Sequence, residues 1–194
     1  MRDLEWEKTQ SINGNWEWGS RFCNVKLASN YFVFDIMSRH LAENPQITRI
    51  VEIGTHTGGM ALYLGMEAVR MGIEFHTWDI EKQTTEDTDK ILNKLGVIQH
   101  IGDAFEKESE IMEMISKEPT YLLCDGGNKH REVEMFAKYL PENSIISTHD
   151  YGQEIFSEDL IATMKMTQLL PLRVQEWGEK NAQFITLKVL NKTI

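Results

Sequence analysis

Arg49-Ile50-Val51-Glu52-Ile53-Gly54-Thr55-His56-Thr57-Gly58-Gly59 is the most telling stretch of this chain. A short β-branched run ends in an acid and a glycine turn, and Met60-Ala61-Leu62-Tyr63-Leu64 then resumes with helical spacing. A buried strand therefore feeds a helix through a loop nearly free of side chains. Glycines there admit positive φ and the close approach of a ligand to backbone. The helix start at Gly58-Gly59 offers N–H groups without intrahelical partners, which suits a carboxylate or a phosphate. For the loop alone, a glycine turn that only tightens strand-helix packing explains the pattern equally well.

Outward from this stretch, short β-rich runs alternate with longer amphipathic ones, the pattern of a mostly parallel sheet covered by helices on both faces. Strands are expected at Arg49–Gly54, Glu74–Ile80, Val97–Gly102, Tyr121–Asp125 and Ser144–His149. Helices are expected near Phe32–Ala42, Gly59–Met71, Thr85–Leu95, Glu106–Lys117, Lys129–Tyr139 and Ser157–Leu170. Val174–Trp177 and Gln183–Leu190, separated by the turn-rich Gly178-Glu179-Lys180-Asn181, read as a closing antiparallel hairpin. This makes seven strands, with the last inserted antiparallel. Residues 1–31 form a less regular aromatic leader containing Trp6, Trp16, Trp18 and Phe22, read as a flap packed on the core or as a substrate lid or subunit contact. Residues 32–194 form the main domain.

The chain has 194 residues and a formal charge of -10, enough for one substantial core and unsuited to an electrostatic grip on nucleic acid or an anionic membrane. A small-molecule partner fits better. The first residues lack the apolar core of a signal peptide and no apolar run would cross a bilayer, so cytoplasmic residence is the expectation. Cys23 and Cys124 are too few for a disulfide framework, and Cys124 lies in an apolar run that suits an inert buried thiol.

In an open parallel sheet, ligands bind beyond the carboxyl ends of the strands. Here Glu52, Asp79, Asp103, Asp125 and Asp150 fall at five such ends in turn, with His149 beside the last. A lone loop aspartate is usually a cap or a turn residue, but five acids in phase with five strands are harder to assign that way. Asp79 stands where an acid about 20 residues beyond a glycine loop accepts hydrogen bonds from a ribose diol. A nicotinamide dinucleotide would use the same acid. However, Gly54-Thr55-His56-Thr57-Gly58 places three residues between its glycines, so the G-x-G-x-x-G fingerprint is absent.

With these residues assembled, the chain resembles the class I S-adenosylmethionine-dependent methyltransferases from about Phe32 to Leu190. Val51 to Gly59 is similar to the first motif of the small-molecule O-methyltransferases of the catechol and caffeoyl-coenzyme A type. Cys124-Asp125-Gly126-Gly127 and Thr148-His149-Asp150-Tyr151 are similar to the paired motifs of a bacterial group that includes cephalosporin-hydroxylase-like proteins. The resemblance implies a Rossmann-like fold and S-adenosylmethionine as cofactor. It implies that Glu52, Gly54, Thr55 and Gly58 shape the methionine pocket, that Asp79 takes the ribose hydroxyls beside Ile80, and that Asp103 with Ala104 borders the adenine. Asp125 would sit near the cofactor's amino group or a metal. Two departures are His56 within the glycine loop and Tyr151 after Asp150, where metal-dependent catechol-type enzymes usually carry Asn.

Methyl transfer from a sulfonium needs an aligned nucleophile and a route for its proton. Asp125 and Asp150 could hold Mg²⁺ through oxygen ligands, with His149 or Glu154 contributing. Without a metal, His149 is the more natural base, and Lys129 is the second candidate. A solvated helix start at Lys129-His130-Arg131 and a core-margin histidine at 149 are the alternatives without chemistry. His40, His76 and His100 lie on separate elements and form no metal-ligand spacing. The expected function is thus methylation of a small molecule, most naturally at oxygen, with a homodimer left open. A cofactor-binding protein without transfer activity and a lyase consuming the same cofactor are the alternatives.

Overall fold

The computed structural model describes residues 9–10, 16–17, 20–27, 32–150, 169–171 and 184–190. Two short antiparallel pairs come first: β1 (Thr9–Gln10) with β2 (Trp16–Glu17), and β3 (Ser20–Phe22) with β4 (Val25–Leu27). Between β3 and β4, Cys23 and Asn24 have φ of 49° and 64°, the paired positive values that a two-residue hairpin turn needs. This part of the leader is more regular than its composition suggests. Phe22 meets Phe34 and Tyr63 edge-on, and Leu27 is buried in the core.

The main body runs α1 (Phe32–Glu43), β5 (Arg49–Ile53), α2 (Gly59–Met71), β6 (Glu74–Asp79), α3 (Glu86–Lys94), β7 (Ile98–Ile101) and α4 (Glu108–Ile115). It continues with β8 (Thr120–Cys124), α5 (Lys129–Phe136) with a 3₁₀ turn over Ala137–Tyr139, β9 (Ile145–His149), β10 (Leu169–Pro171) and β11 (Phe184–Val189). In the sheet the order is β10-β11-β9-β8-β5-β6-β7. Strands β7, β6, β5, β8 and β9 are parallel, and β11 is antiparallel to both β9 and β10.

The seven strands expected from the sequence reduce to six of four residues or more, since β10 is a three-residue edge strand. That edge strand also corrects the helix expected through Leu170, because Leu169 and Leu170 pair with Val189 and Lys188. Pro171 has no N–H to give, and an edge is where a strand tolerates one. Val174–Trp177, Gly178–Asn181 and most of Ser157–Leu170 lie outside the described residues.

Alternation along the strands builds a core on each face of the sheet. Ile50, Tyr121, Leu123, Ile145 and Phe184 point to the face covered by α1, α2 and α3. Val51, Ile53, Leu122, Cys124 and Ile146 point to the face covered by α4 and α5. Helix α2 starts at Gly58 and stops at Gly72, both left-handed, with the Gly72 N–H returning to the carbonyls of Ala68 and Val69. No described helix is long and apolar enough to cross a membrane.

Candidate functional site

The chain runs from β5 outward through β6 to β7, then crosses back to β8 on the other side of β5. Loops leaving β5 and β8 therefore part to opposite faces, and the crevice between them is where such sheets take ligands. Gly54 makes the join. It has φ of 102°, its N–H donates to the Trp78 carbonyl at 2.8 Å, and a Cβ there would overlap the carbonyl of Asp125. Gly54→Ala combines a positive φ with a backbone clash and should cost about 3 kcal/mol, read as a lowered urea midpoint. An unchanged midpoint would mean that the turn can move off Asp125.

A cavity of about 200 Å³ opens at these strand ends. Asp79 and Ile80 line it after β6, Asp103, Ala104 and Phe105 after β7, and Gly126, Asn128 and Glu132 after β8, with Gly54 and Trp78 at its base. Pockets for whole small molecules are usually about 300–1,000 Å³, so this one has room for only part of a ligand of that size. A smaller cavity of about 20 Å³ lies between the β4 end and the glycine loop, lined by Lys26, Thr55, His56, Thr57, Gly59 and Asp125 among others. Gly54 and the Asp125–Gly127 turn connect the two. Asp79 is held ready by the glycine loop, because the N–H of His56, itself at φ of 48°, donates to Asp79 Oδ2 at 2.6 Å. Asp103 Oδ1 accepts the Phe105 N–H at 2.8 Å, which folds the next turn against the cavity.

Gly54, Asp79, Ile80, Asp103 and Ala104 thus meet at the larger cavity, and Gly54, Thr55 and Asp125 at the smaller. Glu52 and Gly58 line neither. Gly58 faces Thr84 and Thr88 as the N-cap of α2. Glu52 is fully buried behind the loop, where Oε2 accepts the Thr77 hydroxyl at 2.6 Å and Oε1 has no hydrogen-bond partner among the described residues. Burial, helped by the charges of Asp125 and Asp79 and opposed by the Thr77 bond, pushes its carboxyl up to about 8. An orphaned acceptor beneath two acids is a place where a cationic group above the loop would be welcome.

Beyond β8 and β9 the acids converge with two bases. Lys129 is buried at 6 % exposure, and its Nζ stands 3.0 Å from Asp150 Oδ2, 3.8 Å from Asp125 Oδ1 and 3.0 Å from the Gly126 carbonyl. His149 Nδ1 lies 3.2 Å from Asp150 Oδ1 and 3.5 Å from Asp125 Oδ1. Burial alone would depress His149, but hydrogen bonds and charge from Asp125 and Asp150 outweigh it and raise its pKa to about 9. Asp150 is held down to about 2, first by its bond from His149 against a partial burial penalty, with Lys129 assisting. So at neutral pH His149 is a paired cation here, unlike the near-neutral base expected from its ordinary titration. Ligand atoms of Asp125, His149 and Asp150 lie within 4.8 Å of one another, a separation that one ion could bridge. Tyr151 and Glu154 lie outside the described residues.

Trp78, Phe105, Asn128 and Glu132 were not singled out in the sequence, nor was Lys26. Phe105 carried a faint signal in following Asp103-Ala104, and its ring is covered by the Arg131 guanidinium 3.9 Å from the centroid. Lys26 carried none, since only tertiary packing brings β4 to the glycine loop, where Thr57 donates to the Lys26 carbonyl at 2.8 Å. His76 and His100 lie on separate strands, as expected, and meet across β6 and β7 with Nδ1 and Nε2 3.0 Å apart, and His100 stacks flat on Trp78.

Solved structures of known proteins share this architecture. The chain superposes on CmcI in its apo form with a TM-score of 0.67 at 15 % identity, covering 98 % of this chain and 87 % of that one. A CmcI structure with Mg and SAM gives 0.63 at 13 % identity, covering 95 % and 82 %. An O-methyltransferase from Bacillus cereus in complex with SAH gives 0.56 at 14 % identity, covering 84 % and 82 %. At these identities the likeness shows the fold alone, a Rossmann-like one that this chain shares with these solved methyltransferase structures. No protein-family model and no curated protein matches the chain.

Proposed function

We propose that this chain is an S-adenosylmethionine-dependent methyltransferase acting on an oxygen of a small molecule. The observation that carries the proposal is the position of Asp125. It lines the smaller cavity beside Gly54 and also belongs to the cluster with Lys129, His149 and Asp150. A cofactor cleft and a proton-handling cluster that share one residue are what transfer to an oriented hydroxyl requires.

The residues fit the cofactor. Asp79, with one oxygen fixed by the His56 N–H, offers a charged acceptor to a ribose diol, and Asp103 and Ala104 line the same cavity. Asp125 supplies a carboxylate near the glycine loop, which suits the cationic end of the cofactor, and a cation bound there would favour ionising the buried Glu52 behind the loop. When bound, S-adenosylmethionine supplies a methyl group on a sulfonium. Asp125, Asp150 and His149 are the residues that would hold a divalent cation, and two oxygens with one imidazole suit Mn²⁺ at least as well as Mg²⁺. Such an ion would orient an acceptor hydroxyl and lower its pKa. Support for Mg²⁺ comes from the CmcI structure that carries Mg with SAM.

Lys129 is buried against the same two carboxylates, which favour its ammonium form, so it can take the acceptor's proton only after passing on its own. His149 orients Asp125 and Asp150, and it can accept a proton only after giving up its own. The test is incubation with methyl-labelled cofactor and a panel of hydroxylated metabolites. Label should move to an acceptor in proportion to the S-adenosylhomocysteine formed. Cofactor breakdown without labelled acceptor would favour a lyase, and binding without turnover a binding protein.

A further inference from the structure

We propose that Glu132 is a positioning residue that locks the Gly126–Asn128 turn, so that one loop serves both the cofactor cavity and the charged cluster. Glu132 is 1 % exposed in the first turn of α5. Its Oε2 accepts the Gly126 N–H and its Oε1 the Asn128 N–H, each at 3.2 Å. The following peptide is held as well, because the Gly126 carbonyl accepts Lys129 Nζ at 3.0 Å. Gly126 has to be glycine for this, since a Cβ there would overlap Glu132 Oε1.

The clamp has consequences in two directions. Gly126, Gly127, Asn128 and Glu132 form one wall of the 200 Å³ cavity. The same turn begins at Asp125, and the lysine that grips it reaches Asp150. A helix cap alone would not need this arrangement. Asn128 already caps α5 by accepting the Arg131 N–H at 3.1 Å, and an exposed acid could serve the helix dipole without the cost of burial. Burial does raise the Glu132 carboxyl, to about 7, against the two backbone bonds and Lys129. A carboxylate kept in such a place fixes backbone that the solvent would otherwise leave loose.

The inference rests on reading the cavity as the cofactor site, and its test separates the two. S-adenosylhomocysteine is titrated calorimetrically into wild type, E132Q and G126A, with melting temperature and amide spectra recorded for each. E132Q keeps the shape but sets an NH₂ against one of the two N–H groups, and G126A pushes the carboxylate off from the other side. Each folded variant should bind about tenfold or more weakly. In wild type the ligand should shift the Gly126 and Asn128 amide resonances. A pure cap would lower the melting temperature and leave affinity unchanged, so wild-type affinity in either folded variant overturns the proposal. Unmoved Gly126 and Asn128 amides overturn it too, whatever the variants do. Failure of the wild type itself to bind would bring down the cofactor reading and this inference together.

Discussion

Asp79→Ala should weaken S-adenosylmethionine and S-adenosylhomocysteine by about ten- to a hundredfold, since hydrogen bonds to a charged acceptor contribute roughly 1.5–3 kcal/mol. Two effects combine in that loss. The ribose acceptor disappears, and the His56 N–H that donates to Asp79 Oδ2 at 2.6 Å is left without its carboxylate in a loop already at positive φ. Asp79→Asn separates them. Its amide oxygen can still take the His56 N–H, so the loop is kept while the charge is lost, and an intermediate affinity is expected. Calorimetry that gave wild-type affinity for the alanine variant would remove Asp79 from the site.

The second large effect is expected at Asp150, where the cluster rather than the cavity is broken. Asp150→Asn keeps a residue type that tolerates the left-handed φ of 58° found there, so the change is electrostatic. Lys129 then loses its partner at 3.0 Å and His149 loses the carboxylate at 3.2 Å. Methyl transfer and any stimulation by Mn²⁺ or Mg²⁺ should fall by about a hundredfold or more, with cofactor affinity within about threefold of wild type.

Stability should fall by about 2 kcal/mol near neutral pH, less than for a fully buried pair because Asp150 is 22 % exposed. His149 has a folded value of about 9 against an ordinary 6.5, so its contribution is full below 6.5 and is lost as pH rises through about 9. Asp150, lowered from 3.8 to about 2, contributes above 3.8 and loses that contribution as pH falls through about 2. These are two ends of one interaction, counted once. Urea midpoints should therefore show a wild-type advantage at pH 6 that narrows by pH 10, with a remainder from Lys129. An advantage that grew with pH would contradict the pairing.

Much of the fold was legible because its determinants are local. The β-branched run before Gly54 and the helical spacing after Gly59 place β5 and α2 to within a residue, and acids at successive strand ends mark the edge where the cavity opens. Position along the chain could not reveal which way a buried side chain faces. Glu52 looks like its neighbours in the acidic series, yet strand alternation turns it beneath the loop toward Thr77. His149 was read as a base from its ordinary titration; Asp150 is its neighbour in the chain, but Asp125, from the end of another strand, comes within 3.5 Å only in three dimensions. Leu169 and Leu170 have helical propensity, and only pairing with Val189 and Lys188 makes them strand.

The most direct measurement is calorimetric titration of S-adenosylhomocysteine into the wild-type chain, with NADH as the competing ligand. The cofactor assignment predicts saturable binding of one S-adenosylhomocysteine per chain, lost or sharply weakened in Asp79→Ala, and no comparable heat from NADH. Tight binding of NADH with no affinity for either sulfur cofactor would contradict it.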